Sequence, residues 1–567
     1  MARVFNHANN RFNPAVFFGD PVVTGPITVT ATGVISETVA PSALRLEGGA
    51  YAVTINGLVS ATGASGFGLE LGVPAVATPG QISTLTLGET GELYGRSSAL
   101  AAFHAVNVAN DGLIAGQSGL YIQGGTVAYT VANTGDIAAD PGSYAIWTDG
   151  AGTHTITNSG TITGRIEGSF ADASIEIITN SGTLAGQIFA RDGADVVTNS
   201  GLITGSVYLD GGDDSLVNTG TIRGDIVGGL GIDTIQNDGL VQGNVFAGDQ
   251  NDILTNTGTI GGAVLAGLGN DSFTNTGTII GFIFMGDGRD TLTGGAGRDQ
   301  VADEEGSDRY ALGDGIDNYD AVGLGTASGT DRVDGGLQTG ASPAIGLYGD
   351  EYNASDATTA VIINMNGAGA AATDRVTGLV HAGGTASGAE TGLDQIKGFE
   401  AAFTGSGNDV IFGNADANAL SGASGGDHIF GGSGGDYLQG GIGADYLEGG
   451  AGLDYLDAGV DSDTDTIVYT LLTDSRTARS GRDVLLNFTD ADRIDFGNMV
   501  IAGGTADHYV GTDVAFDGIA GGVRVVTTAT GWLVQLDGNG DLVADMSVDV
   551  SDMAHSGVTG WSDQFLF

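Results

Sequence analysis

The sequence predicts an all-β protein built as a parallel β-solenoid. Three observations carry this: 102 of the 567 residues are glycine, an Asp-terminated glycine turn recurs every 19 residues, and the apolar positions between turns keep even spacings. Glycine at this level, beside only 21 Phe, 15 Tyr and 3 Trp, excludes a core filled by bulky side chains. Of the 8 prolines only Pro343 lies beyond residue 141, so the repeats begin where proline stops interrupting backbone ladders.

Two markers set the period. Asn-(Ser/Thr/Asp)-Gly starts at Asn158, Asn180, Asn199, Asn218, Asn237, Asn256 and Asn275, with weaker copies at Asn110 and Asn133. Asp195, Asp214, Asp233, Asp252, Asp271 and Asp290 each end a turn such as GLGND or GDGRD. Two places after each Asp stand Val197, Leu216, Ile235, Leu254 and Phe273; eight places after stand Ile203, Ile222, Val241, Ile260 and Ile279; twelve places after stand Val207, Ile226, Val245, Val264 and Ile283. Even offsets put these side chains on one face of extended strands, and a fixed period stacks like on like. The Asn four places after each Asp is expected to form a buried amide ladder. No period of 3.6 competes.

After Asp290 the step halves. Asp299, Asp308 and Asp317 fall in GAGRDQVAD, EEGSDRYAL and GDGIDNYDA, and two such nonapeptides make one 18-residue coil. Residues 321–400 break the pattern and read as a spacer or cap. Nonapeptides resume as GSGNDVIFG, NADANALSG, ASGGDHIFG, GSGGDYLQG, GIGADYLEG, GAGLDYLDA and GVDSDTDTI, with acids at Asp409, Asp427, Asp436, Asp445, Asp454 and Asp463. The organisation is therefore 1–141, a β-rich assembly or binding region; 142–290, the solenoid of about 19-residue coils; 291–320, a nonapeptide block; 321–400, the spacer; 401–466, a second block forming a β-roll; and 467–567, a β-rich tail.

These nonapeptides follow GGxGxDxUx, the pattern of the RTX or haemolysin-type calcium-binding proteins, which residues 286–567 resemble. The resemblance implies a calcium β-roll, and the tail from GRDVLLNFTDADRIDFGNM to WSDQFLF is similar to the uncleaved carboxy-terminal signal by which such proteins leave the cell through type I secretion machinery. The amino terminus MARVFNHANNRF carries no charged region followed by an apolar core, which fits that route, and no stretch is apolar for 18 residues.

Charge agrees. The formal net charge is −50, and of the 68 acidic residues 55 are Asp, a short carboxylate suited to turns and metal loops. Nucleic acid and anionic membranes would be repelled, and a chain without cysteine needs a clamp other than disulfides. Calcium is the expected cofactor. Its ligands are expected at Asp290, Asp299, Asp308, Asp317, Gly405, Gly407, Asp409, Gly425, Asp427, Gly434, Asp436, Gly443, Asp445, Gly452, Asp454 and Asp463, and more weakly at Asp195, Asp214, Asp233, Asp252 and Asp271. Glycines allow the tight path and expose carbonyl oxygens while Asp adds a carboxylate, so two stacked turns offer the oxygen set calcium prefers. Turns one coil apart pair Asp427 with Asp445, Asp436 with Asp454, Asp290 with Asp308 and Asp299 with Asp317. DGNGDLVAD at 537–545 begins like an EF-hand loop, yet Leu542 stands where glycine is required, and strand-like neighbours favour a hairpin turn.

Catalysis is not expected. No HExxH occurs, the 7 histidines are scattered, and G-x-S-x-G around Ser424 and Ser433 lies inside nonapeptides, away from any strand-to-helix elbow. A polysaccharide-active β-helix would group acids with Arg165, Arg191 or Arg223 on one face, which the spacing does not suggest. The sequence therefore points to a secreted or cell-surface structural protein that assembles with itself into a layer, matrix or filament. The alternative is a calcium-dependent adhesin that binds a cell-surface polysaccharide through residues 1–141, which an exposed aromatic pocket there would favour.

Overall fold

The computed structural model describes residues 26–37, 42–46, 50–63, 66–72, 82–170, 174–302, 304–322, 330–336, 349–501, 504–506, 508–551 and 560–567, with the backbone alone of 3–5 and 504–505. The chain forms two units, Met1–Phe282 and Ile283–Phe567. Both are all-β, and the described helical turns are 3-10 only.

In the first unit each 19-residue coil contributes three short parallel strands, as in Val196–Asn199, Leu202–Ile203 and Val207–Gly211. Each pairs with its equivalent in the next coil, Val197 with Leu216, Ile203 with Ile222 and Val207 with Ile226. The three apolar offsets are thus the inward positions of three strands. All of Val197, Leu216, Ile235, Leu254, Ile203, Ile222, Val241, Ile260, Val207, Ile226 and Val245 are buried.

The amide ladder runs without a gap. Asn110 Nδ2 donates to Asn133 Oδ1, and the relay continues through Asn158, Asn180, Asn199, Asn218, Asn237 and Asn256 to Asn275, each bond 2.7–2.8 Å. The second amide hydrogen bonds main-chain carbonyls nearby, as from Asn218 to Leu240 at 3.3 Å. Buried amides are tolerated because every donor is used. Replacing Asn218 by Leu would leave Asn199 without its acceptor and Asn237 without its donor, and is expected to cost about 2–4 kcal/mol, read as a lowered guanidinium midpoint of the first unit.

This stack does not begin at residue 142. Ile27–Val29, Ala52–Ile55, Ile82–Leu87, Ala105–Asn110 and Tyr129–Asn133 join the same parallel sheet as Thr153–Asn158. Their coils are longer and unequal, the core partners Val53 and Leu85 standing 32 residues apart and Leu85 and Val108 standing 23 apart. Extra residues fall between strands, where a loop lengthens at little cost without disturbing register.

The second unit has two strands per coil, the geometry of paired nonapeptides: Tyr437 pairs with Tyr455 on one side and His428 with Tyr446 on the other. The described strands within residues 321–400, a segment read from sequence as a spacer or cap, belong largely to the stack. Arg332–Asp334 follows Arg309–Ala311 and precedes Gly392–Lys397, while Glu351–Ala354 links Asn318–Asp320 to Ala401–Thr404. Thr385–Gly388 runs antiparallel, between Gly392–Lys397 and Val361–Asn364. The tail extends both sides as well: Val484–Leu486 pairs with Tyr455–Asp457, and Arg493–Asp495 pairs with Thr466–Val468 and Phe565–Leu566. The 537–545 segment connects the antiparallel strands Gly531–Asp537 and Met546–Ser551, a hairpin turn.

Candidate metal centre

Each turn Asp is held by the coil before it. In the second nonapeptide block the backbone N–H of Asp409 donates to Asp427 Oδ1 at 2.8 Å, that of Asp427 to Asp445 Oδ1 at 2.8 Å, and that of Asp445 to Asp465 Oδ1 at 2.9 Å. On the other side Asn418 donates to Asp436 at 2.8 Å, Asp436 to Asp454 at 2.9 Å and Asp454 to Asp483 at 3.0 Å. The first block repeats this, Asp290 to Asp308 at 2.7 Å and Asp299 to Asp317 at 2.8 Å. In the 19-residue coils Asp195, Asp214, Asp233, Asp252 and Asp271 form one such column at 2.7–2.9 Å.

One carboxylate oxygen is therefore consumed, and the other is what a cation could use. Oδ2 of Asp409, Asp427, Asp436, Asp445 and Asp454 is buried without a hydrogen-bond partner, and so is that of Asp195, Asp214, Asp233, Asp252 and Asp317. These oxygens sit over glycines: a Cβ at Gly422, Gly431, Gly440 or Gly449 would lie 2.2–2.6 Å from Oδ2 of Asp427, Asp436, Asp445 or Asp454. The glycines two places before Asp427 and Asp445 take a left-handed backbone, φ 140° at Gly425 and 131° at Gly443, and a Cβ on Gly443 would lie 1.7 Å from the Gly425 carbonyl oxygen. Gly405 and Gly407 open the first turn of this block, Gly407 with φ 154°. Gly434 repeats that conformation, φ 130°, and Gly452 packs against its carbonyl.

Buried carboxyls stacked this way resist ionising. Burial, augmented by neighbouring acids and opposed by the N–H bond, pushes Asp427 up to about 8; Asp436, where the Asp454 charge adds to burial, also reaches about 8. Asp445 and Asp454 rise to about 6 and about 7, again chiefly through burial. Asp195 and Asp214 rise to about 9 and about 8. An orphaned oxygen, a glycine cradle and acids reluctant to carry charge together fit calcium, whose positive charge would remove the penalty. Among the described residues no three His, Cys, Asp or Glu side chains converge. The remaining oxygen ligands must then be main-chain carbonyls or water.

Several residues differ from the sequence expectation. Asp463 is exposed, and its N–H closes on Asp461 Oδ1 at 2.8 Å in a local turn, because GVDSDTDTI carries two extra residues before the next strand; Asp465 takes the rung. Asp331, Asp350, Asp394, Asp483 and Asp492 occupy rungs as well. Their spacing hid them. Their signal was the apolar residue two places on, Val333, Tyr352, Ile396, Leu485 and Ile494, all buried. Arg165 and Arg191, ungrouped by spacing, converge on buried Glu167, with Arg165 Nε 3.2 Å from Oε2 and Arg191 bonded to Oε1. Unequal coils bring them to one side.

One column already has donors for its second oxygens. Tyr310 donates to Asp308 Oδ2 at 3.0 Å, Tyr319 to Asp331 Oδ2 at 3.2 Å and Tyr352 to Asp394 Oδ2 at 2.6 Å. A tyrosine hydroxyl does there part of what a cation does elsewhere. In EDTA, amides of Arg309–Ala311 and Arg332–Asp334 are therefore expected to exchange slowly while those of His428–Gly434 exchange fast, measured by hydrogen–deuterium exchange; equal loss in both would refute the distinction.

The family of the RTX calcium-binding nonapeptide repeat matches the chain in four copies, at residues 286–319, 398–429 and 430–465. No curated protein matches the chain. The repeats are thus RTX repeats, and they bind calcium. Among the described residues no helix is long and apolar enough to cross a membrane.

Proposed function

With calcium-binding RTX repeats as the premise, we propose that this is a secreted structural protein, exported by type I machinery, whose calcium-stiffened solenoids assemble into an extracellular layer, matrix or filament without performing catalysis. The observation that supports this reading is the extent of the ladder. Parallel strands from Ile27–Val29 onward in the first unit, and through to Phe565–Leu566 in the second, are stacked coil on coil. Strand edges at the ends of such stacks favour pairing with further chains unless covered. The segment VFNHANNRFNPAVFF at 4–18 has the Phe-rich composition of an interface core, and it lies outside the described residues apart from the backbone at 4–5. Negative-stain electron microscopy of full-length protein with and without millimolar calcium tests assembly. Ordered sheets or fibres with calcium alone support it, and monomers at high concentration in calcium defeat it.

The adhesin reading has its own observation. Phe67, Phe103, Tyr121, Tyr144 and Trp147 line a cavity of about 280 Å³ in the first unit. Tyr121 meets Trp147 edge-on at 4.9 Å, Trp147 stacks on Tyr144 at 5.0 Å, and the Arg165 guanidinium lies 4.0 Å from the Tyr144 ring. Half-exposed aromatic rings of this kind suit sugar faces or a protein partner. If the calcium-loaded protein stays monomeric, loss of cell or polysaccharide binding in Trp147→Ala would establish this role instead.

A further inference from the structure

The second nonapeptide block carries a feature that calcium turns do not need. On the outward side of one stack, Asn364, Phe412, Phe430 and Glu448 stand in register on successive strands. Outward residues of a solenoid are normally wet, yet Phe412, Phe430 and Glu448 are buried. They are covered by the segment that carries the small hairpin Ala372–Thr373 and Val380–His381 and by the turn at 470–474. Asp374 fastens the hairpin down: it accepts from the Val376 N–H at 2.9 Å and from the Thr377 hydroxyl, and His428 Nδ1 lies 3.1 Å from its Oδ2. Asp474 fastens the turn by accepting the N–H groups of Thr470 and Leu471 at 2.9 and 2.7 Å.

The cover does not fill the space beneath it. A cavity of about 410 Å³ remains, with Phe412, Phe430 and Leu471 on its apolar side and Glu448, Arg375 and Thr470 among its polar groups. Glu448 is 7 % exposed; Arg375 Nη1 holds its Oε1 at 2.6 Å, and Oε2 has no hydrogen-bond partner. Burial pushes this carboxyl up to about 7 even with the arginine beside it. A buried carboxyl whose second oxygen has no partner at hydrogen-bond geometry, in a cavity held open by two separately anchored loops, is costly unless something binds there.

We infer that this cavity binds a single neutral glycosyl unit, whose adjacent hydroxyls donate to Glu448 and accept from Arg375 while its C–H face lies against Phe412, Phe430 and Leu471. A carboxylate beside a guanidinium offers one acceptor and one donor side by side, which complements a vicinal diol, where each hydroxyl both donates and accepts. Phe412, Phe430 and Leu471 on one side of the cavity and Glu448, Arg375 and Thr470 among its polar groups match the two characters of a sugar ring in the same way.

The site goes beyond the structural role and does not depend on it. The test uses calcium-loaded full-length protein, with saturation-transfer NMR and calorimetry against free glucose, galactose, mannose, fucose and N-acetylglucosamine. At least one is expected to bind, with Kd raised about tenfold by Arg375→Ala through loss of a charge-assisted hydrogen bond, and raised again by Glu448→Gln. The Arg375 side chain is 51 % exposed, so its variant keeps the fold if Glu448→Gln does not. Trp147→Ala, in the first unit, is expected to leave this binding unchanged. The assignment falls if none of the five sugars binds, if Arg375→Ala leaves Kd unaltered, or if Trp147→Ala abolishes the binding.

Discussion

Stripping calcium from the protein is expected to unfold the stack from Gly405 to Asp495, converting its β signal in circular dichroism to that of a disordered chain, and returning calcium is expected to restore it. The reason lies in the columns Asp409, Asp427, Asp445, Asp465 and Asp436, Asp454, Asp483. Each member uses one oxygen to hold the preceding coil, and several bury the other with no partner. Without a cation those carboxylates must stay protonated or carry unscreened charge in a buried stack. An ion that binds only the folded turn adds about 2.7 kcal/mol per site when free calcium is 100 times its Kd, and several sites act on one cooperative stack. The transition should be steep in calcium. A repeat block already fully folded in EDTA would end the argument.

The calcium-free protein is expected to be more stable in acid than at neutral pH, the reverse of the calcium-loaded form. Asp427, Asp436 and Asp465 are raised from 3.8 to about 8, and Asp483 to about 9, chiefly by burial. A raised folded value means that the fold binds protons more tightly than the unfolded chain. This contribution is fully present below about pH 4 and is lost as pH rises through about 6 to 9. Calcium acts oppositely, since it needs the deprotonated carboxylates and so binds better as pH rises. Chelator-free, calcium-stripped protein should therefore regain β signal on acidification from pH 8 to pH 4.5, and added calcium should do the same at pH 8. Loss of structure on acidification of the stripped protein would show that burial of these acids does not govern the fold.

Legibility in the sequence followed strict period. The coils between Asp195 and Asp271 could be drawn residue by residue, including the Asn ladder, because a constant step leaves no choice of register. Asp427, Asp436, Asp445 and Asp454 could be placed in turns for the same reason. Before Asn158 the step varies, and Leu85 and Val108, which share a sheet, look unrelated to any repeat.

What the sequence determined by itself is the solenoid, its inward face, and the kind of ion its turns take: glycine before Asp fixes the turn, and an apolar residue two places on fixes the strand that follows. What only the tertiary structure decided is which residues stand above one another once loops intervene. Strand pairing is set by backbone hydrogen bonds and buried side chains, and it tolerates insertions of any length between strands. Asp331, Asp350, Asp394, Asp483 and Asp492 therefore join the columns from far along the chain, while Asp463, at the expected step, is left outside. The tyrosines that answer Asp308, Asp331 and Asp394, and the loops that bury Glu448 beside Arg375, belong to the same class. Each depends on contacts between segments whose separation in sequence carries no period.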